Sequence, residues 1–311
     1  MSTPLQVRVS TARLLTPLVR ELTLVPCTGS LPGFSSGSHI QVHLPLGERT
    51  LRNAYSLTGD PADSHQYRIA VRLQQASRGG SRYLHQQVAV GDTLAISPPA
   101  NLFAPRSTAR LHILIAGGIG ITPFMAYLKA LQRQQANVEL HYFYRPGLTD
   151  AYLDELQERL GPRLHRYAAG TPCDLAAILR ERPLGSHVYT CGPQRLLDAV
   201  RDTASTLGWP ASRVHWEAFS AARPGQPFEL ELARSGQRLQ VSAGQSLLEA
   251  LEAAGVAPPS LCRGGVCGQC MTRHLHGEIE HRDHFLSRAE QAEFLMPCVS
   301  RGCGPRVLLD L

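Results

Sequence analysis

Cysteine placement constrains this chain more than any other feature. Of eight cysteines, Cys27, Cys173 and Cys191 are dispersed, whereas Cys262, Cys267, Cys270, Cys298 and Cys303 crowd the last fifty residues. Cys262-x4-Cys267-x2-Cys270 followed by Cys298 after 27 intervening residues is the plant-type [2Fe–2S] spacing. Three thiolates on one tight loop and a fourth from a distant element can surround two bridged irons. Gly264, Gly265 and Gly268 let backbone N–H groups approach the sulfurs with no Cβ in the way. A structural zinc site would use two separate short knuckles instead. Cys303 is close enough in sequence to compete as fourth ligand; the spacing favours Cys298 and leaves Cys303 a free thiol.

The 311 residues exceed what one hydrophobic core usually serves, so two or three domains are expected. With 43% hydrophobic and 18% charged residues and no apolar run near the roughly 20 residues of a membrane helix, disorder and membrane spanning are not expected. Arg8, Arg13 and Arg20 interrupt every early apolar stretch before a secretory hydrophobic region could form. A reducing cytoplasm with metal-binding cysteines is therefore expected rather than a secreted disulfide scaffold. The net charge of +6 hides an asymmetry: from Pro224 onward 8 Arg face 10 acidic residues, net −2, while the remainder carries +8. Lys129 is the only lysine, and the arginines are scattered rather than packed with aromatics, which argues against nucleic acid.

Residues 1–105 read as a small antiparallel β-barrel. Alternating stretches recur at Gln6 to Val9, Val19 to Val25, His39 to Leu44, Tyr67 to Leu73 and Thr93 to Ser97 between Gly, Pro and Ser clusters. Residues 106–223 change period to strands alternating with helices, the pattern of a parallel α/β sheet: Leu111 to Ala116, Val138 to Tyr144, Leu164 to Ala168, His187 to Thr190 and Val214 to Glu217 as strands, with helices over Phe124 to Gln134, Ala151 to Leu160, Leu175 to Glu181 and Arg195 to Leu207. Residues 224–311 open with a hairpin, Phe228 to Leu232 and Arg238 to Val241. Ser246-x-x-Glu249 and Ser287-x-x-Glu290 then each carry the capping-box signal for a helix start. The chain is thus read as multidomain α+β and α/β.

The apolar run Leu111 to Ala116 empties into Gly117-Gly118-Ile119-Gly120-Ile121-Thr122-Pro123. Glycines permit close approach of a pyrophosphate, Pro123 suits the first helical turn, and the helix N-terminus, with the Thr122 hydroxyl, offers donors to an anion. The turn lacks the third glycine of the Rossmann fingerprint, and the next strand ends at Tyr144-Arg145 rather than in a ribose-binding acid. A dinucleotide would be held differently. Cys191-Gly192-Pro193 follows a strand end, where ligands of open α/β sheets collect; Cys191 could equally be a buried small hydrophobe.

In the barrel, Arg52-Asn53-Ala54-Tyr55-Ser56-Leu57 sets a cation, a ring and a hydroxyl on one extended segment, groups that suit a flavin's phosphate, its isoalloxazine face and its redox-active nitrogen. Ser77-Arg78-Gly79-Gly80-Ser81 could wrap a phosphate with backbone N–H groups.

Taken together, Tyr55-Ser56-Leu57, Arg78 to Ser81, Gly117 to Pro123, Cys191-Gly192-Pro193, His215-Trp216-Glu217-Ala218-Phe219 and the four cysteines resemble the phthalate dioxygenase reductase family, which includes vanillate demethylase reductase, over essentially the whole chain. The resemblance implies an FMN-binding barrel, a ferredoxin-reductase-type NAD domain and a C-terminal β-grasp ferredoxin. It also implies that Tyr55, Ser56 and Leu57 contact the flavin, that Ala70, Val71 and Arg72 border it, and that Gly79, Gly80 and Ser81 hold its phosphate. Phe219 would lie near the isoalloxazine and yield to nicotinamide. NADH would bind across Gly117, Gly118, Gly120, Thr122, Pro123 and Cys191 to Pro193, with Ser56 and Cys191 nearest the hydride transfer.

One departure is notable. The wider superfamily has Arg-x-Tyr-Ser, but Asn53 takes that Arg position and Arg52 stands one residue earlier; if Arg52 cannot reach the phosphate, FMN rests on the Arg78 to Ser81 turn. The implied activity is electron transfer from NADH through FMN, rather than FAD, to the cluster and on to a Rieske-type oxygenase partner, by a monomer. Arg145 lies where an NADPH 2′-phosphate could be read. The rival readings are a stand-alone diaphorase or flavin reductase with other acceptors, and a non-enzymatic four-cysteine zinc interaction module.

Overall fold

A computed structural model describes residues 3–47, 49–75, 78–219 and 224–311. Contacts divide the chain into two compact units, 1–219 and 220–311. The barrel and the parallel sheet, expected to part near residue 105, lie within the first unit. Arg223, the last residue of the expected second domain, and the expected phosphate-turn residue Ser77 lie outside the described residues.

The first unit begins with β1 (Leu5–Thr16), β2 (Val19–Pro26), β3 (Ser38–Leu46), β4 (Arg49–Ser56), β5 (Tyr67–Arg72), α1 (Gly80–Gln86), β6 (Thr93–Ile96) and β7 (Ala100–Asn101). Their order is β4-β3-β6-β1-β2-β5, with β7 on β3, and every pairing is antiparallel. A bridge between Leu57 and Ile69 joins the two ends of that order, closing the barrel and removing its edges. Val7, Leu22, Ile40, Val42, Leu57 and Ile69 are among the residues that fill it.

The parallel layer follows: β8 (Leu111–Gly117), α2 (Thr122–Arg133), β9 (Val138–Tyr144), α3 (Leu153–Leu160), β10 (Leu164–Ala168), α4 (Leu175–Leu179), β11 (Ser186–Gly192), α5 (Gln194–Thr206) and β12 (Val214–Ala218). The sheet order is β10-β9-β8-β11-β12, so β8 is central and its 111–116 run is apolar on both faces, as a doubly covered strand must be. One apolar cluster lies on α2 and α3, the other on α4 and α5.

Barrel and sheet are tied by specific bonds. Thr16 Oγ1 donates to the Leu148 carbonyl at 2.8 Å and Tyr152 Oη to Glu21 Oε2 at 2.7 Å. Lys129 Nζ donates to the Thr58 carbonyl at 2.9 Å, and Arg133 pairs with Asp60 at 2.5 Å. Val19 and Ala70 of the barrel pack with Ala151 and Ile119.

The second unit contains β13 (Phe228–Leu232), β14 (Arg238–Val241), α6 (Leu247–Ala253), β15 (Thr272–His276), β16 (Ile279–Glu280), β17 (Phe294–Leu295), β18 (Arg301–Gly302) and β19 (Arg306–Leu309). The sheet β14-β13-β19-β15-β17 is mixed, with β13 and β19 parallel. Leu247, Ala250 and Leu251 of α6 pack on Leu230, Leu232 and Val241, the β-grasp arrangement. Arg301, 2% exposed, donates to the carbonyls of Gln245, Gln226 and Ser242, so a buried cation gathers three loop segments around carbonyl oxygens.

The two capping signals part company. Ser246 and Glu249 form the full reciprocal box, and α6 follows. Ser287 and Glu290 also bond reciprocally, but only a 3₁₀ turn, Glu290–Ala292, results, because the chain enters β17 two residues later to pair with β15. The long-range pairing overrides the local signal.

Ser246→Ala should destabilise the second unit by about 1 kcal/mol, read as a lower urea midpoint for loss of its secondary structure. A pH effect follows from the stacked rings of His187 and His215, whose Nδ1 and Nε2 atoms are 2.9 Å apart. Burial, then the nearby His187, Arg106 and His112, push the His215 pKa down to about 4, below the roughly 6.5 of an unfolded histidine. Its neutral form is the one the fold accepts, so this contribution is complete above about pH 6.5 and is lost as pH falls toward 4. Replacing His215 by Asn should flatten the acid limb of the first unit's denaturation midpoint against pH.

Candidate functional site

In the second unit the chain from Cys262 to Cys270 is an irregular loop that begins after α6. Arg263 takes a left-handed conformation there, φ +52°, and its guanidinium forks onto Glu252 of α6 with both contacts at 2.8 Å. That bidentate pair anchors the loop to the helix. Gly265 and Gly268 also have positive φ, and a Cβ on Gly268 would stand 2.3 Å from the Phe285 ring, so the loop backbone must lie directly under that ring.

Cys298 arrives from the segment after β17, and its Sγ lies 3.3 Å from that of Cys270; both are buried. The Gly264 N–H points at Cys262 Sγ from 3.3 Å. The hydrogen bond between Cys262 and Cys267 draws the Cys262 pKa down and pushes that of Cys267 up; at Cys262 burial opposes the shift, and the N–H groups of Val266, Gly264 and Cys267 reinforce it. These donors favour thiolate sulfur, the form that ligates metal. No disulfide is formed among the cysteines. Cys303 is exposed beyond β18 and absent from the cluster that buries Cys270 and Cys298. The residues fit a four-thiolate iron–sulfur centre.

In the first unit, side chains of β4 alternate, so Leu51, Asn53 and Tyr55 share one side and Arg52 shares the other with Ser56. Arg52, the cation expected to serve the flavin phosphate, therefore points to the other side of β4 from Tyr55 and from the Gly80 turn that packs on Asn53. Asn53 shares the side of Tyr55, and its Nδ2 donates to Tyr55 Oη at 3.2 Å. Burial lifts the Tyr55 phenol to about 12, with the Asn53 bond partly offsetting it, so the ring carries a neutral hydroxyl. Gly80 sits against the Asn53 amide, where a Cβ would meet Nδ2 at 2.3 Å. Gly79 has φ +105°, and Ser81 Oγ accepts from the Gln74 N–H at 3.2 Å. The turn at 78–81 and the Asn53-Tyr55 pair thus form one continuous patch. Ser56 is buried, as are Leu57, Ala70 and Val71, whereas Arg72 is partly exposed.

The glycines after β8 have a different main task. A Cβ on Gly120 would stand 2.1 Å from the Cys191 carbonyl oxygen, and one on Gly117 2.6 Å from Pro193 Cδ. A Cβ on Gly192 would stand 2.9 Å from Gly117 Cα. Three of the predicted nucleotide glycines therefore let the exits of β8 and β11 touch backbone to backbone. Gly118, φ +54° with space around its Cβ direction, turns the chain into a 3₁₀ segment, Gly118–Ile121. Pro123 does occupy the first turn of α2. Thr122 departs from expectation: its hydroxyl is buried and donates to the Ile119 carbonyl at 2.9 Å, closing the turn instead of facing an anion. Cys191 is fully buried and its thiol is held neutral by burial and by Glu217, while Phe219 is 41% exposed.

Two residues take on more here than sequence reasoning assigned them: Glu217, which carried no expected role, and Arg72, expected only to border the flavin. Glu217 pairs across the sheet with Cys191, and its charge raises the pKa of both Cys191 and Tyr127; only the register of β11 on β12 reveals it. Arg72 ends β5 with a buried Nε that lacks a hydrogen-bond partner among the described residues. Burial and the nearby Arg145 both depress its pKa. Two guanidinium groups from barrel and sheet, one with an orphaned donor, fit a phosphate-bearing cofactor.

Comparisons with known proteins agree with this construction. Residues 230–303 match the model of the 2Fe-2S iron-sulfur cluster binding domain, and residues 94–214 match that of the N-terminal domain of dimethylamine monooxygenase subunit DmmA-like proteins. The chain is 63% identical to the heme-dependent oxidative N-demethylase beta subunit of Ectopseudomonas mendocina (strain ymp), covering 100% of both chains. It is 44% identical to the carnitine monooxygenase reductase subunit of Escherichia coli (strain K12), covering 98% of each. Among solved structures it superposes on phthalate dioxygenase reductase, described as a modular structure for electron transfer from pyridine nucleotides to [2Fe-2S], with a TM-score of 0.89 and 33% identity over 99% of this chain and 98% of that one. No helix among the described residues is long and apolar enough to cross a membrane. The chain belongs to the phthalate dioxygenase reductase family and is an oxidoreductase, the reductase component of an oxygenase system.

Proposed function

We propose that this chain takes electrons from NADH, passes them through FMN to a [2Fe–2S] cluster held by Cys262, Cys267, Cys270 and Cys298, and delivers them one at a time to its oxygenase. The observation that carries this reading is the joint presence of four convergent cysteines, with the Gly264 N–H aimed at the Cys262 sulfur and the Cys270 and Cys298 sulfurs 3.3 Å apart, and of a buried Arg72 Nε at the barrel's edge with no partner among the described residues. When bound, a flavin accepts an electron pair and can release it singly, and the cluster carries single electrons.

The chain's residues supply binding and orientation. The Asn53-Tyr55 pair and the 78–81 turn would seat the flavin and its phosphate, with Asn53 replacing a cation. Arg72 and Arg145 would neutralise phosphate charge. The Ser56 hydroxyl would orient the flavin ring, and Cys191, held neutral beside Glu217, would wall the nicotinamide side without acting as a nucleophile. Thr122 would act by holding the turn closed. In this reading residues 1–105, 106–223 and 224–311 serve flavin, nicotinamide and cluster in turn, and the protein works as a monomer in the cytoplasm.

The partner is an oxygenase. The 63% identity over full length favours a haem-dependent oxidative N-demethylase over the Rieske-type partner read from the sequence; the carnitine monooxygenase and phthalate dioxygenase reductases keep the latter as a second reading. Electron delivery to purified candidates of each type should discriminate them, with product formed only by the cognate oxygenase.

Anaerobic NADH should bleach both the flavin and the cluster absorbance of the wild type. Cys270→Ser should keep flavin reduction while losing cluster signal and at least about 100-fold of oxygenase-coupled turnover. Flavin bleaching without cluster reduction in the wild type would refute the relay, and a marked preference for NADPH would refute the donor assignment.

A further inference from the structure

On β9 and the edge strand β10 of the parallel sheet, three metal-ligating side chains converge that the electron path does not use. Glu139 is the second residue of β9 and His165 the second of β10. Gly117, where β8 enters the glycine turn, pairs with Phe143, so Glu139 lies about 13 Å and His141 about 7 Å back along β9 from that level at roughly 3.3 Å per residue. His141 and His165 are direct cross-strand partners, and their rings stack with centroids 4.5 Å apart and planes within 10°. His141 Nε2 lies 3.1 Å from Glu139 Oε1. One ligand atom from each of Glu139, His141 and His165 falls within 4.8 Å of the others.

We propose that Glu139, His141 and His165 form a binding site for a zinc-type divalent ion, with water in the fourth position. Bonds of about 2.0–2.1 Å in a tetrahedral site set neighbouring ligand atoms roughly 3.3 Å apart, so the Glu139–His141 spacing already suits the ion and a side-chain rotation of His165 closes the rest. The second shell is also in place. Tyr167 Oη lies 3.0 Å from His141 Nδ1 and is hydrogen-bonded to Cys173, so the phenol can accept from Nδ1–H while donating to sulfur. The metal would then take the place of the proton that His141 Nε2 shares with Glu139 Oε1, with Nδ1 supported as it generally is in metal-bound histidines.

Arg182 holds the Glu139 carboxylate by contacts of 2.7 and 3.2 Å, and a carboxylate has lone pairs enough to accept these and still face the ion. Glu139 and His165 border an open cleft that also carries Arg110 and Arg163. The surrounding charge repels cations, so binding must come from imidazole ligation. This selects zinc-type ions over magnesium or calcium, which need oxygen ligands and negative charge. A bound ion would cross-link edge strand β10 to β9.

The test uses the full chain with flavin and cluster in place, treated with chelator, dialysed against micromolar zinc and assayed for zinc and iron by mass spectrometry. The wild type should retain about one more zinc per chain than His165→Gln at unchanged iron content, and Tyr167→Phe should weaken that zinc by about 10–100-fold. Zinc-edge absorption of the wild type should show a nitrogen and oxygen shell. Equal zinc in the wild type and His165→Gln, or a sulfur shell, would overturn the proposal.

Discussion

Backbone meeting backbone where β8 and β11 leave the parallel sheet is the constraint on which the first unit's working end depends. The Cys191 carbonyl occupies the space a Cβ of Gly120 would need, and Gly117 and Gly192 leave no room for side chains between the two exits. This contact holds the 3₁₀ turn and the start of α2 against the end of β11. It is why Thr122 turns inward and why Cys191 is sealed from solvent. Any ligand at this edge meets a surface whose curvature is set by the lack of side chains. The glycine-rich signal is therefore conformational first and ligand-directed second.

Much of the architecture was legible because local chemistry and global fold agreed. The apolar run at 111–116 became the central strand, the alternating segments before residue 100 became a barrel, and Ser246-x-x-Glu249 capped a helix. The four-cysteine spacing drew together the thiols it named. What was not legible depended on register, which no short segment encodes. The Leu57–Ile69 closure, the Glu217–Cys191 pairing and the His141–His165 stack all join residues far apart in sequence. Ser287 and Glu290 show the converse, since their box forms and yet yields only one 3₁₀ turn. The side of β4 taken by Arg52 could have been read from two-residue alternation alone, because Tyr55 three positions on has the opposite parity.

Arginines in both units are held mostly within the unit that carries them. In the first, Arg133 pairs with Asp60 and Arg182 with Glu139, while Arg72 keeps a buried Nε with no partner among the described residues. In the second, Arg263 is held by the Glu252 carboxylate, and Arg301 donates to three carbonyls while its own Nε goes unfilled. An orphaned donor alone therefore does not mark a ligand site; Arg72 stands apart because a second guanidinium, Arg145, lies near it at the edge proposed to take phosphate.

The bond from Lys129 to the Thr58 carbonyl has a practical corollary. Because the chain has no other lysine, its one side-chain amine lies at the seam between barrel and sheet. Amine-directed crosslinkers and acylating reagents would thus modify side chains at that seam alone, turning a compositional oddity into a site-selective handle on how barrel and sheet hold together.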